Sequence, residues 1–260
     1  MPSIQVAIVG YGVLGQALGR LFPDAVVHDP PRGMHALEAV NACRVAFICV
    51  PTPAAPDGSC DIACVEDAVA TVTSEVIVIC STVPPGTTDR LARRYQKRVV
   101  FQPEYGPGET PGHPYRDLAD IPWLTVGGPA EWTAPVLEAY EQALGALPTV
   151  HLTDATTAEL AKYMENAFLA TKVAFCNEFY DIAGALGVDY LELRNVWLAD
   201  PRIGSSHTWV YPDDRGFGGR CLPKDLSAIR SAAHGLGITP TILDAVATAN
   251  AAVRHAPDAP

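Results

Sequence analysis

Cys221 stands in the run Gly216-Phe217-Gly218-Gly219-Arg220-Cys221-Leu222-Pro223-Lys224-Asp225. Three glycines precede it, and Pro223 suits the first turn of a helix running to about residue 234. Small neighbours leave the sulfur approachable, and a helix N-terminus stabilises a thiolate, so Cys221 is the candidate nucleophile. A buried structural thiol is the alternative, and it is the reading for the other six cysteines. Lys162 and Asn166 are four apart in a helical pattern and so share a face. A cation and an amide donor side by side can stabilise an oxyanion at a reacting carbon; a solvated helix face is the competing reading. Asp225, four residues after Cys221, is spaced to orient Lys162 or a water. Thr82 and Glu104 end separate strands, at the carboxyl edge where open α/β sheets bind ligands.

A second constellation lies at the N-terminus. Gly10-Tyr11-Gly12-Val13-Leu14-Gly15 follows a strand-like run and opens a helix, the context in which such glycines cradle a pyrophosphate. Asp29 ends the next strand, where a carboxylate accepts hydrogen bonds from ribose hydroxyls and repels a 2′-phosphate. NAD is therefore favoured over NADP, although Arg32 lies close by.

The elements that must position these residues alternate in the first half. Apolar strands are predicted at 4–9, 25–28, 45–50, 76–80, 99–102, 123–126 and 149–152. Helices fall at 13–22, 34–42, 62–73, 87–94 and 130–143. The pattern predicts α/β architecture, a Rossmann-type doubly wound parallel sheet covered on both faces. An all-helical part follows, with a long connecting helix over 155–185 and further helices at 190–199, 223–234 and 240–254. The expected division is 1–152, binding the cofactor, and 153–260, carrying Cys221.

The 260 residues are 48% hydrophobic, enough for substantial cores, and the net charge of −11 offers no broad basic field for nucleic acid or anionic lipid. No apolar run reaches the roughly 18 residues of a membrane span, and MPSIQVAIVG has no basic leader region. Seven scattered cysteines fit reduced thiols in a cytoplasm better than a disulfide framework. Cys60 and Cys64 lack a second pair at zinc-like spacing, so no metal is expected. His28, His151, His207 and His234 suggest neither triad nor metal site. Trp209 and Tyr211 could stack on a base or sugar, or pin their loop.

Five segments carry a resemblance, together with the glycine fingerprint. They are Val50-Pro51-Thr52-Pro53, Ser81-Thr82-Val83-Pro84-Pro85-Gly86-Thr87, Gln102-Pro103-Glu104, residues 158–170 around Lys162 and Asn166, and the Gly216–Asp225 run. In order from residue 4 to about 254 they resemble the UDP-glucose/GDP-mannose dehydrogenase family. The resemblance implies NAD-dependent, four-electron oxidation of a sugar primary alcohol to a carboxylate, through a thiohemiacetal and a thioester on Cys221. It implies that Pro51, Thr52 and Thr82 contact the cofactor, that Thr82 also positions water, and that Glu104 is the base for thioester hydrolysis. Glu104 as a plain loop carboxylate is the alternative. Gly218 and Lys224 would contact substrate. Asp200-Pro201-Arg202-Ile203-Gly204 looks like the segment whose Arg reaches a neighbouring subunit's substrate, which implies a homodimer; an Arg202 exposed or internally paired on a monomer is the alternative.

The chain departs from the family in three places. It ends soon after residue 254, where the family continues into a third, substrate-binding domain. Residues 105–113 differ from the family's stretch, and 205–215, with Tyr211-Pro212-Asp213-Asp214, lack a lysine facing phosphate. A smaller alcohol, or another substrate handle, is the expectation. The alternatives are a two-electron alcohol dehydrogenase and an inactive NAD-binding regulatory subunit.

Overall fold

The computed structural model describes residues 4–106, 115 and 117–254. Two compact units are present: Met1–Pro53 with Asp61–Lys162, and Ala54–Cys60 with Tyr163–Pro260.

Among the described residues, the first unit is built on seven strands, β1 (Val6–Val9), β2 (Val26–His28), β3 (Val45–Ile48), β4 (Val76–Ile79), β5 (Val99–Phe101), β6 (Trp123–Gly127) and β7 (Thr149–Thr153). Their order is β2-β1-β3-β4-β5-β6-β7. Strands β1, β3, β4 and β5 are buried along their whole length, as unbroken Val/Ile runs require when helices cover both faces. The helices are α1 (Val13–Leu21), α2 (Leu37–Ala42), α3 (Ala63–Thr71), α4 (Thr87–Tyr95) and α5 (Ala130–Leu144). Alternate strand residues feed two cores: Ala7, Val9, Ala46 and Ile48 enter one, and Val6, Ile8, Val45 and Phe47 the other. In the second core, the Phe22 and Phe47 rings stack at 5.4 Å while Tyr140 meets both edge-on.

The parallel expectation holds for β1 to β5 and fails once. β6 runs antiparallel to β5, pairing through Phe101 and Gly127. A parallel neighbour needs a crossover helix, and the described part of this connection carries only the 3-10 turn Leu118–Asp120.

Lys97 shows how helix ends are satisfied here. Its Nζ donates to the carbonyls of Val69, Ala70 and Val72, at 2.7, 2.6 and 2.7 Å, closing the C-terminus of α3. Burial lowers its pKa, yet three carbonyl dipoles hold the ammonium.

The long helix α6 (Ala155–Leu186) passes from one unit into the other, the division falling between Lys162 and Tyr163. It falls within the helix because Ala155 and Ala158 belong to a sheet core. The second unit holds the rest of α6 with α7 (Tyr190–Trp197), α8 (Leu222–Gly235) and α9 (Thr241–Arg254). Its core is small: Ala167, Ala170, Val173 and Ala174 of α6 meet Phe217, Leu226 and Val246. The segment 54–60 is tied to α8 by the Ser227 hydroxyl, which donates to the Gly58 carbonyl at 2.9 Å. No described helix is long and apolar enough to cross a membrane.

Lys97→Met should destabilise the first unit by about 1 kcal/mol or more, since three part-buried carbonyls lose one charged donor. Urea unfolding followed by circular dichroism checks this.

Candidate functional site

The glycine turn between β1 and α1 explains each of its glycines separately. Gly10 has φ +91°, and a Cβ there would meet the Cys49 backbone at 2.8 Å. Gly15 is pressed so close that a Cβ would lie 2.1 Å from the Gly10 carbonyl oxygen. At Gly12 a Cβ would meet nothing within 4 Å, so this glycine leaves open space where α1 begins. Gly12 is the N-cap and provides no side-chain cap, leaving first-turn amides of α1 for an anion. Val13 is exposed, while Tyr11 and Leu14 pack against the sheet core. Asp29, buried at the end of β2, accepts the Tyr11 N–H at 2.7 Å. Arg32 lies 3.6 Å from the same carboxylate. His28 uses Nδ1 to accept the Ala36 N–H, a structural role. An anion-ready helix start with a carboxylate beside it fits a dinucleotide. Thr52 is buried and Pro51 exposed on the loop after β3, which the Ser81 hydroxyl holds by donating to the Val50 carbonyl at 2.6 Å.

Further along the same edge, Glu104 follows β5. Its Oε1 accepts from Gln102 Nε2 at 2.7 Å and from the Tyr140 hydroxyl at 3.0 Å. Burial pushes this carboxyl up to about 7, against those two donors and the nearby positive charge of Lys162. A carboxyl titrating there can accept a proton near neutral pH. Lys162 sits 4.8 Å from the centroid of the Tyr105 ring. Thr82 is half-buried on the loop between β4 and α4, next to the fully buried Val83. Two residues that the motifs did not single out for a role are Tyr140 on α5 and Glu159 on α6. Glu159 is fully buried and accepts hydrogen bonds from Gly86 and Thr88.

In the second unit, Cys221 is exposed and is the N-cap residue of α8. The Asp225 N–H donates to the Cys221 carbonyl at 2.9 Å, closing the first helical turn. The Asp225 carboxylate, 2% exposed, accepts from Asn166 Nδ2 at 2.6 Å and from Lys224 Nζ at 2.5 Å. The partners the structure gives Asp225 are thus Asn166 and Lys224, and Asn166 is fixed in orientation. The glycine loop before Cys221 is held from both sides. Asn177 Oδ1 accepts the Gly216 N–H at 3.2 Å, and Asn250 exchanges bonds with the Phe217 N–H and carbonyl at 2.6 and 3.0 Å. Gly216 and Gly219 both have φ +76°, and a Cβ at Gly218 would approach the Arg254 guanidinium to 3.0 Å.

All seven cysteines are thiols. Cys64 departs from the buried-thiol reading: it is exposed on the first turn of α3, facing away from the apolar stripe that packs on the sheet. Arg202 is exposed, and its guanidinium grips both carboxylate oxygens of Asp200. Lys172 of α6 holds the Arg202 loop by donating to the Ile203 and Gly204 carbonyls at 3.3 and 2.9 Å. Trp209 is half-exposed, with the buried Arg194 guanidinium 3.9 Å from its ring centroid, and Arg194 also bonds the Thr208 hydroxyl. Tyr211 is exposed. His151 is exposed on β7, His207 has φ 61°, and His234 lies 3.8 Å from Asp244. Residues 107–113 of the divergent stretch lie outside the described residues.

A doubly wound sheet with a glycine cradle at its carboxyl edge defines a Rossmann-type dinucleotide-binding protein. The chain belongs to the UDP-glucose/GDP-mannose dehydrogenase family: residues 33–143 match its NAD binding domain and residues 156–252 its central domain. UDP-glucose 6-dehydrogenase of Pseudomonas aeruginosa is 34% identical over 232 residues, covering 82% of this chain and 50% of that protein. The structure of a UDP-glucose dehydrogenase from Pyrobaculum islandicum superposes with TM-score 0.81 at 29% identity, covering 96% of this chain and 68% of that one. That of UDP-D-ManNAc dehydrogenase from Pyrococcus horikoshii gives 0.79 at 26% identity, with 96% and 68% covered. The chain spans about half the length of the curated relatives it matches. The cofactor is NAD.

Two outcomes follow from this geometry. Gly12→Val should weaken NAD⁺ binding about tenfold or more while leaving the melting temperature nearly unchanged, whereas Gly15→Ala should lower the melting temperature. Fluorescence titration and thermal melts separate them. Tyr140→Phe removes a donor that favours the carboxylate, so the Glu104 pKa should rise by about half to one unit. A carbon-13 NMR titration of the glutamate carboxyls reads that shift.

Proposed function

We propose that the chain oxidises the primary alcohol of a sugar nucleotide, or of a related nucleotide or sugar phosphate, to a carboxylate through a Cys221 thioester. The observation that carries this reading is an exposed Cys221 at the start of α8, one turn before an Asp225 that fixes Asn166. The glycine cradle, the α1 N-terminus and Asp29 hold the cofactor, with Pro51, Thr52 and Thr82 contributing from neighbouring loops. Bound NAD supplies the oxidising equivalents, two molecules being reduced per carboxylate formed. The first oxidation leaves an aldehyde. The Cys221 thiolate adds to its carbon, and the Lys162 cation with the Asn166 amide stabilises the resulting alkoxide. Asn166 has two amide hydrogens; Asp225 takes one and leaves one for this task. The second oxidation leaves a thioester. Thr82 positions a water, Glu104 takes one of its protons as the oxygen bonds the thioester carbon, and the carbon–sulfur bond breaks, releasing the carboxylic acid and the Cys221 thiolate. Gly218 and Lys224 contact the substrate.

The working form in this reading is a homodimer. Met164, Phe168, Phe175, Phe179, Ile182 and Leu186 recur every three, four or seven residues along α6, and all are exposed. An exposed apolar stripe of this kind is the feature expected of an interaction surface. In the dimer Arg202 reaches the second copy's substrate. Phe168→Asp with Ile182→Asp should convert dimer to monomer in sedimentation equilibrium and abolish turnover.

The chemistry is tested by counting NADH per acid formed, with UDP-glucose, other sugar nucleotides, sugar phosphates and nucleotides. The expected result is two NADH per acid, with turnover in Cys221→Ser lower by about a thousandfold or more. One NADH with an unaffected Cys221→Ser would identify a two-electron alcohol dehydrogenase. Intact NAD⁺ binding with no turnover on any compound would favour the regulatory reading.

A further inference from the structure

α4 begins without a cap of its own. Its N-cap residue is Gly86, in the left-handed region at φ 87°, and no side-chain cap bond is made there. The orphan amides are satisfied from α6 instead. Glu159 Oε2 accepts the Gly86 N–H at 2.5 Å, and Oε1 accepts the Thr88 N–H and hydroxyl at 2.8 and 2.6 Å. Glu159 and Thr88 are both fully buried, so water cannot replace either partner. Gly86 also closes the 81–86 loop, which carries Thr82 and is anchored at its other end by the Ser81 hydroxyl. Lys162 follows Glu159 by three residues on α6, about one helical turn.

We propose that Glu159 is a positioning residue that clamps the 81–86 loop, and Thr82 with it, to the stretch of α6 that presents Lys162. The clamp is made of an ionised carboxylate and three donors, so it is charge-assisted. Protonation of Oε2 would set a hydroxyl against the Gly86 N–H and open it. Burial pushes this carboxyl up to about 7, with Asp89 of α4 adding a like charge. Losing the three donors while the carboxyl stays enclosed raises its pKa further, so acid favours this local opening, and the clamp loosens as pH falls below about 7. By linkage, the burial of this carboxylate lowers stability as pH rises from its unfolded value toward about 7, and is level beyond. The charge is retained at that cost because it orders the loop.

Only the catalytic meaning of Thr82 and Lys162 rests on the proposed function; the clamp itself is read without turnover. The experiment is amide hydrogen exchange of the full chain, comparing peptides over 81–88 with peptides over β1 and β3. In Glu159→Gln, and to a smaller degree in Thr88→Val, exchange over 81–88 should quicken about tenfold or more while β1 and β3 keep their protection. In the unmodified chain, exchange corrected for intrinsic rate should be faster at about pH 6 than at about pH 8, and Glu159→Gln should lose that dependence. With UDP-glucose turnover, the same variant should lower kcat more than the KM for NAD⁺. Unchanged protection over 81–88 in both variants would overturn the clamp. A pH dependence that persists in Glu159→Gln would overturn its assignment to this carboxylate.

Discussion

The ladder of the parallel sheet is the constraint on which the first unit depends. Val9 pairs with His28 and with Ile48, Ile48 with Ile79, and Ile79 with Phe101. The last residues of five strands therefore stand in one row, and the loops that follow them start from one edge. The row continues one bond further, as the Cys49, Cys80 and Gln102 amides donate to the carbonyls of Val9, Ile48 and Ile79. Gly10, Asp29, Thr52, Thr82 and Glu104 all lie just beyond that row. β1 lies between β2 and β3, so the chain reverses direction across the sheet there. A ligand crevice opens at such a reversal, and Gly10 against the Cys49 backbone lets the two loops approach.

Three buried carboxyls, Glu104 and Glu159 in the first unit and Asp225 in the second, meet the cost of desolvation in different ways. Asp225 has a lysine and an amide on its two oxygens, so its charge is balanced where it lies. Glu159 has three donors and, among the described residues, no paired cation, and it is raised to about 7. Glu104 has two neutral donors and the more distant Lys162 charge, and it is raised to a similar value. For Asp225 and Glu104 the difference fits the roles proposed for them. A group that holds Asn166 in place gains from a balanced charge, whereas a proton acceptor gains from a pKa near the working pH.

Most of the strands and helices were legible because their apolar runs are long and their ends carry glycine, proline or a polar cap. The glycine fingerprint was legible for the same reason: strand, turn and helix are contiguous. Tyr140 and Glu159 were not, since their partners lie 36 and 71 residues away and no local period announces the contact. The antiparallel β6 was hidden because an apolar strand reads alike in either direction; only its connection decides. Trp209 was ambiguous until Arg194 was seen beneath its ring, and Cys64 looked like every other thiol until its helix face was known. Local chemistry showed in the sequence, and the long-range polar contacts that hold it did not.

The proposed thioester requires that the substrate's carbon become covalently attached to Cys221. It is tested by acid-quenching Glu104→Gln during incubation with UDP-glucose and NAD⁺, then mapping the chain by mass spectrometry. Slowed thioester hydrolysis should leave an acyl group on the peptide bearing Cys221 and on no other cysteine. NADH accumulating while Cys221 stays unmodified would contradict the account.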